Sequence, residues 1–69
     1  MRVLVRDRRL NVGWTQEQLA ERLGVSRQTV ISIETGRYRP SLVLAHKLAR
    51  VFRCQIEDLF LFEKEDGDV

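Results

Sequence analysis

Residues 17–36 read EQLAERLGVSRQTVISIETG, and the glycine in mid-stretch, Gly24, constrains what this chain can fold into more than any other feature. Apolar residues recur every three or four positions on each side of it, the spacing of helices with one buried face. Thr15 is a good N-cap for the helix before the glycine, Gln18 stands where it completes a capping box, and Trp14 is placed to staple onto Leu19. Leu19, Ala20 and Leu23 make the buried stripe of that helix. Ser26 caps the next one, with Val25 placed to staple against Val30, so the turn is three residues long, Gly24 to Ser26. Helices joined this tightly do not lie side by side; they cross at a steep angle.

A steep crossing makes specific demands, and the residues meet them. Ala20 supplies a small side chain where the axes approach, and Gly24 supplies a backbone that tolerates positive φ. Val25 plugs the gap beneath the turn, while Val30 and Ile33 complete the contact with Leu19 and Leu23. Arg27, Gln28, Thr29 and Ser32 then fall on the opposite side of the second helix, a polar and mostly short-chained face suited to contacts.

The flanks supply the scaffold. Val3 to Val12 is read as a first helix of uneven amphipathicity ended by Gly13, although VLV at its start also suits a strand. After Gly36, the segment TGRYRPS is a loop, and Ser41 caps a helix in which Leu44, Ala45, Leu48, Ala49 and Phe52 keep a regular helical period. QIEDLF gives a last short helix through Ile56, Leu59 and Phe60. The expected fold class is therefore all-α, a compact five-helix bundle. Residues 1–64 form a single domain, and residues 65–69 are a frayed acidic tail.

With 69 residues there is room for one small core, and such domains usually need added support. A single cysteine, Cys54, rules out an internal disulfide and a cysteine-based metal cluster, which leaves oligomerisation. The first residues, MRVLVRDRR, are too short and too charged for export, and no long apolar run occurs, so a soluble protein of the cytoplasm with no membrane association is expected.

The net charge of +2 hides an asymmetry. Residues 1–53 hold eleven Lys or Arg against four Asp or Glu, whereas residues 54–69 hold one Lys against six acids. A basic body with an acidic tail suits a polyanion binder with a solubilising or partner-facing end. Catalysis finds no constellation: one His, one Cys and one Tyr do not assemble a nucleophile and its base, and His46 falls on the scaffold helix. No glycine-rich phosphate loop and no metal-ligand spacing occurs, so neither cofactor nor metal is expected.

Gln16 through Gly36, with the flanking VRDRRLNVGWTQ and RPSLVLAHKLARVF, resembles the Cro/CI-type (XRE) helix-turn-helix family of phage and bacterial repressors, over residues 5–60. GVSRQTVISIETGRYRPSL is similar to short stand-alone regulators of bacteria and archaea. The resemblance implies a sequence-specific regulator of transcription, expected to repress, whose third helix enters the major groove of double-stranded DNA. Carried onto this chain, it implies base contacts from Arg27, Gln28, Ser32 and Thr29, the last close to a phosphate or a thymine methyl. It implies phosphate contacts from Gln16 and Thr15 at the start of the second helix, and from Arg37 and Arg39 in the following loop. Tyr38 is open between a backbone contact and an anchor packed on Pro40. Arg9 and Glu34 match the family's buried ion pair.

Three positions depart from the family pattern. Arg53 stands where glycine often ends the fourth helix, Arg8 occupies a position that is leucine in many short members, and Cys54 replaces a small apolar residue as a packed thiol.

A homodimer on a pseudo-palindromic operator is expected, because one recognition helix covers few base pairs. Phe60, Leu61 and Phe62 are the candidates for its surface, with a short strand from LFLF as one form of it, unless Leu59 or Phe60 is consumed by the core. The alternative from another class is an antitoxin or protein-binding adaptor on the same fold, in which the acidic C-terminal tail docks a protein partner.

Overall fold

The computed structural model describes residues 2–61. Its elements run β1 (Arg2–Val3), α1 (Val5–Val12), α2 (Gln16–Leu23), α3 (Arg27–Glu34), α4 (Leu42–Phe52), α5 (Ile56–Leu59) and β2 (Phe60–Leu61). The five helices are those expected, and two short strands join them. Arg2 pairs with Leu61 and Val3 with Phe60 in a two-stranded antiparallel ladder. The helix read from Val3 therefore begins at Val5, and VLV opens as a strand. Leu4 sits at the junction, its N–H donating to the Leu59 carbonyl at 2.7 Å. The extended backbone on both sides gives these polar groups partners that a further helical turn would withdraw.

α2 and α3 are built by their caps. Thr15 Oγ1 accepts the Gln18 N–H at 3.1 Å, and the Gln18 side-chain carbonyl accepts the Thr15 N–H at 2.8 Å, closing the box. Gly24 adopts φ 72°, its N–H reaching the Glu21 carbonyl at 3.2 Å, while the Val25 N–H reaches Ala20 at 3.0 Å. These two bonds satisfy carbonyls that the helix end would leave open, and they bend the chain into α3. A Cβ added at Gly24 would meet nothing within 4 Å, so the demand for glycine is one of backbone conformation and not of space.

Val5, Leu19, Leu23, Val30, Ile33, Leu48 and Leu59 are fully buried, joined by Ala20, Ala45, Ala49, Phe52 and Phe60. Each large aliphatic side chain in this set contributes about 1.5–3 kcal/mol relative to exposure. Trp14 packs against the same core, its ring centroid 5.6 Å from that of Phe52, and the Arg22 guanidinium lies 4.2 Å over its face. α1 is tied in differently: only Val5 and Arg9 are buried, with Leu10 and Val12 facing outward. Among the described residues no helix is long and apolar enough to cross a membrane.

Candidate nucleic-acid interface

α3 is held from behind. Val30 and Ile33 are buried, and the side chains that alternate with them lie outward: Arg27 and Gln28 exposed, Thr29 and Ser32 half-buried. Ser26 starts the helix by accepting the Thr29 N–H on Oγ at 3.2 Å, and the two hydroxyls lie 3.0 Å apart. At the other end Gly36 turns the chain, and the Arg37 and Tyr38 N–H groups both donate to the Ser32 carbonyl, at 3.0 and 3.2 Å. That shared acceptor fixes the start of the loop directly beyond α3, and Arg37, Tyr38 and Arg39 are all exposed on it.

Glu34, at the last position of α3, gathers three elements. Its Oε2 accepts Arg9 Nε at 2.7 Å and its Oε1 accepts Arg9 Nη2 at 3.2 Å, a bidentate pair between largely buried side chains. Arg9 Nη1 donates to the Trp14 carbonyl at 2.9 Å, just before the α2 cap. Gln16 Nε2 donates to Glu34 Oε1 at 3.2 Å. The start of α2 is thereby referenced to α1 and to the end of α3.

Of the expected phosphate and base contacts, all but Arg37 and Arg39 line one of two hollows. Thr15, Gln16 and Arg27 line a cleft of about 670 Å³ together with Arg6, Arg9 and Glu34. Gln28, Thr29 and Ser32 line a second, smaller hollow together with Ser26 and Tyr38. Arg6 was not among the expected contacts; its signal in the sequence is the three-residue spacing to Arg9, which puts the two on one helix face. The Gln16 link to Glu34 was also unforeseen, and nothing in a separation of eighteen residues announces it.

Residues expected elsewhere separate clearly. Phe60 is 3% exposed and belongs to the core, so of the two readings offered for it, consumption by the core is the one seen. Leu61 remains 39% exposed on β2, which pairs within the chain with β1, and Phe62 lies outside the described residues, as does the acidic tail. His46 is exposed on α4. Cys54 is half-buried; burial pushes its thiol above the usual range, with Arg8 opposing and Asp58 reinforcing the shift. Arg8 is itself half-buried on that side of α1, where it shares a surface hollow with Asp58.

The model of a helix-turn-helix family, HTH_3, matches residues 5–59. The chain belongs to this XRE-type helix-turn-helix family. The helix-turn-helix chain is 57% identical over 68 residues to an uncharacterized HTH-type transcriptional regulator of Methanothermobacter thermautotrophicus, covering 97% of each. It is 35% identical over 57 residues to the competence pilus inhibition repressor of Acinetobacter baylyi, over 83% of this chain and 52% of that protein. Among solved structures, the hypothetical transcription factor NHTF from Neisseria matches with a TM-score of 0.75 at 33% identity, over 88% of this chain and 70% of that one. The helix-turn-helix family is one of DNA-binding transcription regulators and not of enzymes. The Cro/CI-type resemblance and the five-helix fold expected from it are borne out.

Proposed function

We propose that this chain is a sequence-specific double-stranded DNA-binding regulator of transcription that places α3 in the major groove as a homodimer, and that it represses. One observation carries the assignment: Arg27, Gln28, Thr29 and Ser32 form an outward polar face on a helix whose opposite face, Val30 and Ile33, is buried. Base edges present in-plane donors and acceptors, and Arg and Gln each offer two hydrogen bonds in one plane, which favours guanine for Arg27 and adenine for Gln28.

Gln16 positions the protein and does not read sequence. With one amide hydrogen given to Glu34, its Nε2 retains a second for a phosphate oxygen, and the α2 N-terminus beside it favours negative charge. Arg6, Arg37 and Arg39 add cations along the backbone path. A pair of copies on one face of the duplex sets its recognition helices about 34–36 Å apart and calls for a pseudo-palindromic site. Repression is supported by the likeness to the Acinetobacter repressor.

Selection of bound duplexes from a random pool at near-physiological salt tests this, since non-specific phosphate binding is weakened there. A two-half site at one-turn spacing is the expected product. Absence of any enriched sequence, or unchanged binding after charge reversal at Arg27 and Arg37, would favour a protein-binding adaptor or antitoxin instead.

A further inference from the structure

The C-terminal ends of α1, α2 and α4 meet around a hollow of about 660 Å³ that none of the expected DNA contacts lines. Its floor is apolar: Val12, 50% exposed, half-buried Val51, and the ring pair of Trp14 and Phe52. Its rim carries two exposed guanidiniums, Arg22 over the Trp14 face and Arg53, and among the described residues no carboxylate lines it. Arg53 is held there at a cost. Among the described residues it is the one non-glycine in the left-handed region, at φ 54°, a conformation that the turns at Gly13, Gly24 and Gly36 leave to glycine. A side chain kept on a backbone that glycine would adopt more freely points to a use for that side chain.

An apolar anchor with carboxylates beside it complements such a hollow. The chain carries one: residues 62–69, outside the described residues, read FEKEDGDV, an aromatic followed by four acids and one lysine. Charge selects among the hollows. The one along α1 and α5 is lined by Asp7 and Asp58 against a single Arg8, and the cleft at the start of α2 is assigned to phosphate. Connection decides whose segment fits. Leu61 pairs with Arg2 ahead of the first turn of α1, and Val12 stands in its last turn, about 10 Å along the axis from Val5. One residue of extended chain spans at most about 3.6 Å, so Phe62 falls short of its own hollow.

We propose that the hollow at the ends of α1, α2 and α4 receives Phe62 and the acidic residues after it from a second copy of this chain. The exchange is reciprocal, because a two-fold axis makes every such contact occur twice. Trp14, Arg22 and Arg53 thus form one half of the homodimer contact. The inference rests on the homodimer of the function proposed above and gives it a surface.

Trp14 is the chain's only tryptophan, so its emission reports on the hollow directly. The 69-residue protein is followed by sedimentation equilibrium and by Trp14 fluorescence over the same concentrations. The emission is expected to shift to the blue as the dimer forms. Arg53→Gly, which suits the backbone found there, is expected to keep its helical circular dichroism and to weaken the dimer about tenfold, about threefold for each of two exposed ion pairs. Arg53→Glu and the double variant Glu65→Lys with Asp66→Lys are each expected to be monomeric where the unmodified chain is dimeric. Combined, they are expected to form a mixed dimer, since each supplies the charge the other lacks. A dimer whose Trp14 emission does not change with concentration, or one that Arg53→Gly leaves at full strength, overturns the inference and leaves the homodimer standing. A blue emission that is independent of concentration and lost in Phe62→Ala also overturns it, by showing that a chain's own segment fills the hollow. A monomer that still enriches a two-half site overturns the inference alone, and one that fills single half-sites overturns the homodimer reading with it.

Discussion

Glu34 accepts three side-chain hydrogen bonds, two from Arg9 and one from Gln16, and this makes it the side chain on which the local geometry most depends. Removing its charge would strand a buried guanidinium, a change that costs about 3–5 kcal/mol in comparable pairs. A domain of this size has a total stability on the order of 3–10 kcal/mol. Glu34→Gln is therefore expected to move the urea midpoint far down or to abolish folding, followed by far-ultraviolet circular dichroism; an unchanged midpoint would refute the role of the pair. Cys54 makes a second prediction. Burial raises its thiol pKa, so the folded state favours the protonated form. Its contribution to stability is complete below the ordinary thiol range and is lost as pH rises through the folded value. Alkylation by iodoacetamide should accordingly rise at higher pH in the folded chain than in urea, and coincident profiles would contradict this. The Arg9–Glu34 pair was legible only through family resemblance, since spacing alone does not join residues 9 and 34. Gln16 was assigned to phosphate by that same route, and its bond to Glu34 escaped because it depends on how α2 and α3 cross.

Among the described residues, four helix ends use the same pair of backbone bonds, and three of them turn on glycine. Gly13, Gly24 and Gly36 adopt φ values of 81°, 72° and 78°, while the end of α4 places Arg53 at φ 54° and ψ 49°. Its Cys54 N–H reaches Ala49 at 2.9 Å and its own N–H reaches Arg50 at 3.2 Å, so the motif closes despite the side chain. The left-handed conformation costs a non-glycine residue roughly 1–2 kcal/mol, part of which glycine returns as unfolded-chain entropy. Arg53→Gly is thus expected to stabilise by about 0.5–1 kcal/mol, a rise of a few degrees in Tm by thermal unfolding; a fall would show that Arg53 contributes more by its contacts than it loses in its backbone. Caps and stops were the most legible part of the fold because they are local: Thr15 with Gln18, Ser26 and Ser41 all act where they were expected. VLV and LFLF were each read as suited to a strand, but their pairing as the β1–β2 ladder was not legible, because it joins two short segments far apart in the chain, each too brief to show a period.

At the scale of the molecule, the proposed function puts binding strength and binding specificity on different side chains. Eleven of the twelve basic residues lie in residues 1–53. Cations that neutralise phosphates release counterions, so affinity falls with salt at a slope of about −0.9 per contact on a log–log plot. Arg37→Ala is expected to flatten that slope by about one unit and to weaken all duplexes alike, whereas Arg27→Ala should relax preference at one base position. Filter binding across a salt series separates the two, and equal slopes in wild type and Arg37→Ala would remove Arg37 from the backbone path.

The ladder that pairs Arg2 with Leu61 and Val3 with Phe60 also means that the described chain starts and finishes at one seam. In outline it is a ring, and a ring has no privileged point of entry. Were the two ends linked and new ones opened in the exposed loop at residues 37–39, every helix, every cap and the three-residue turn would keep its neighbours.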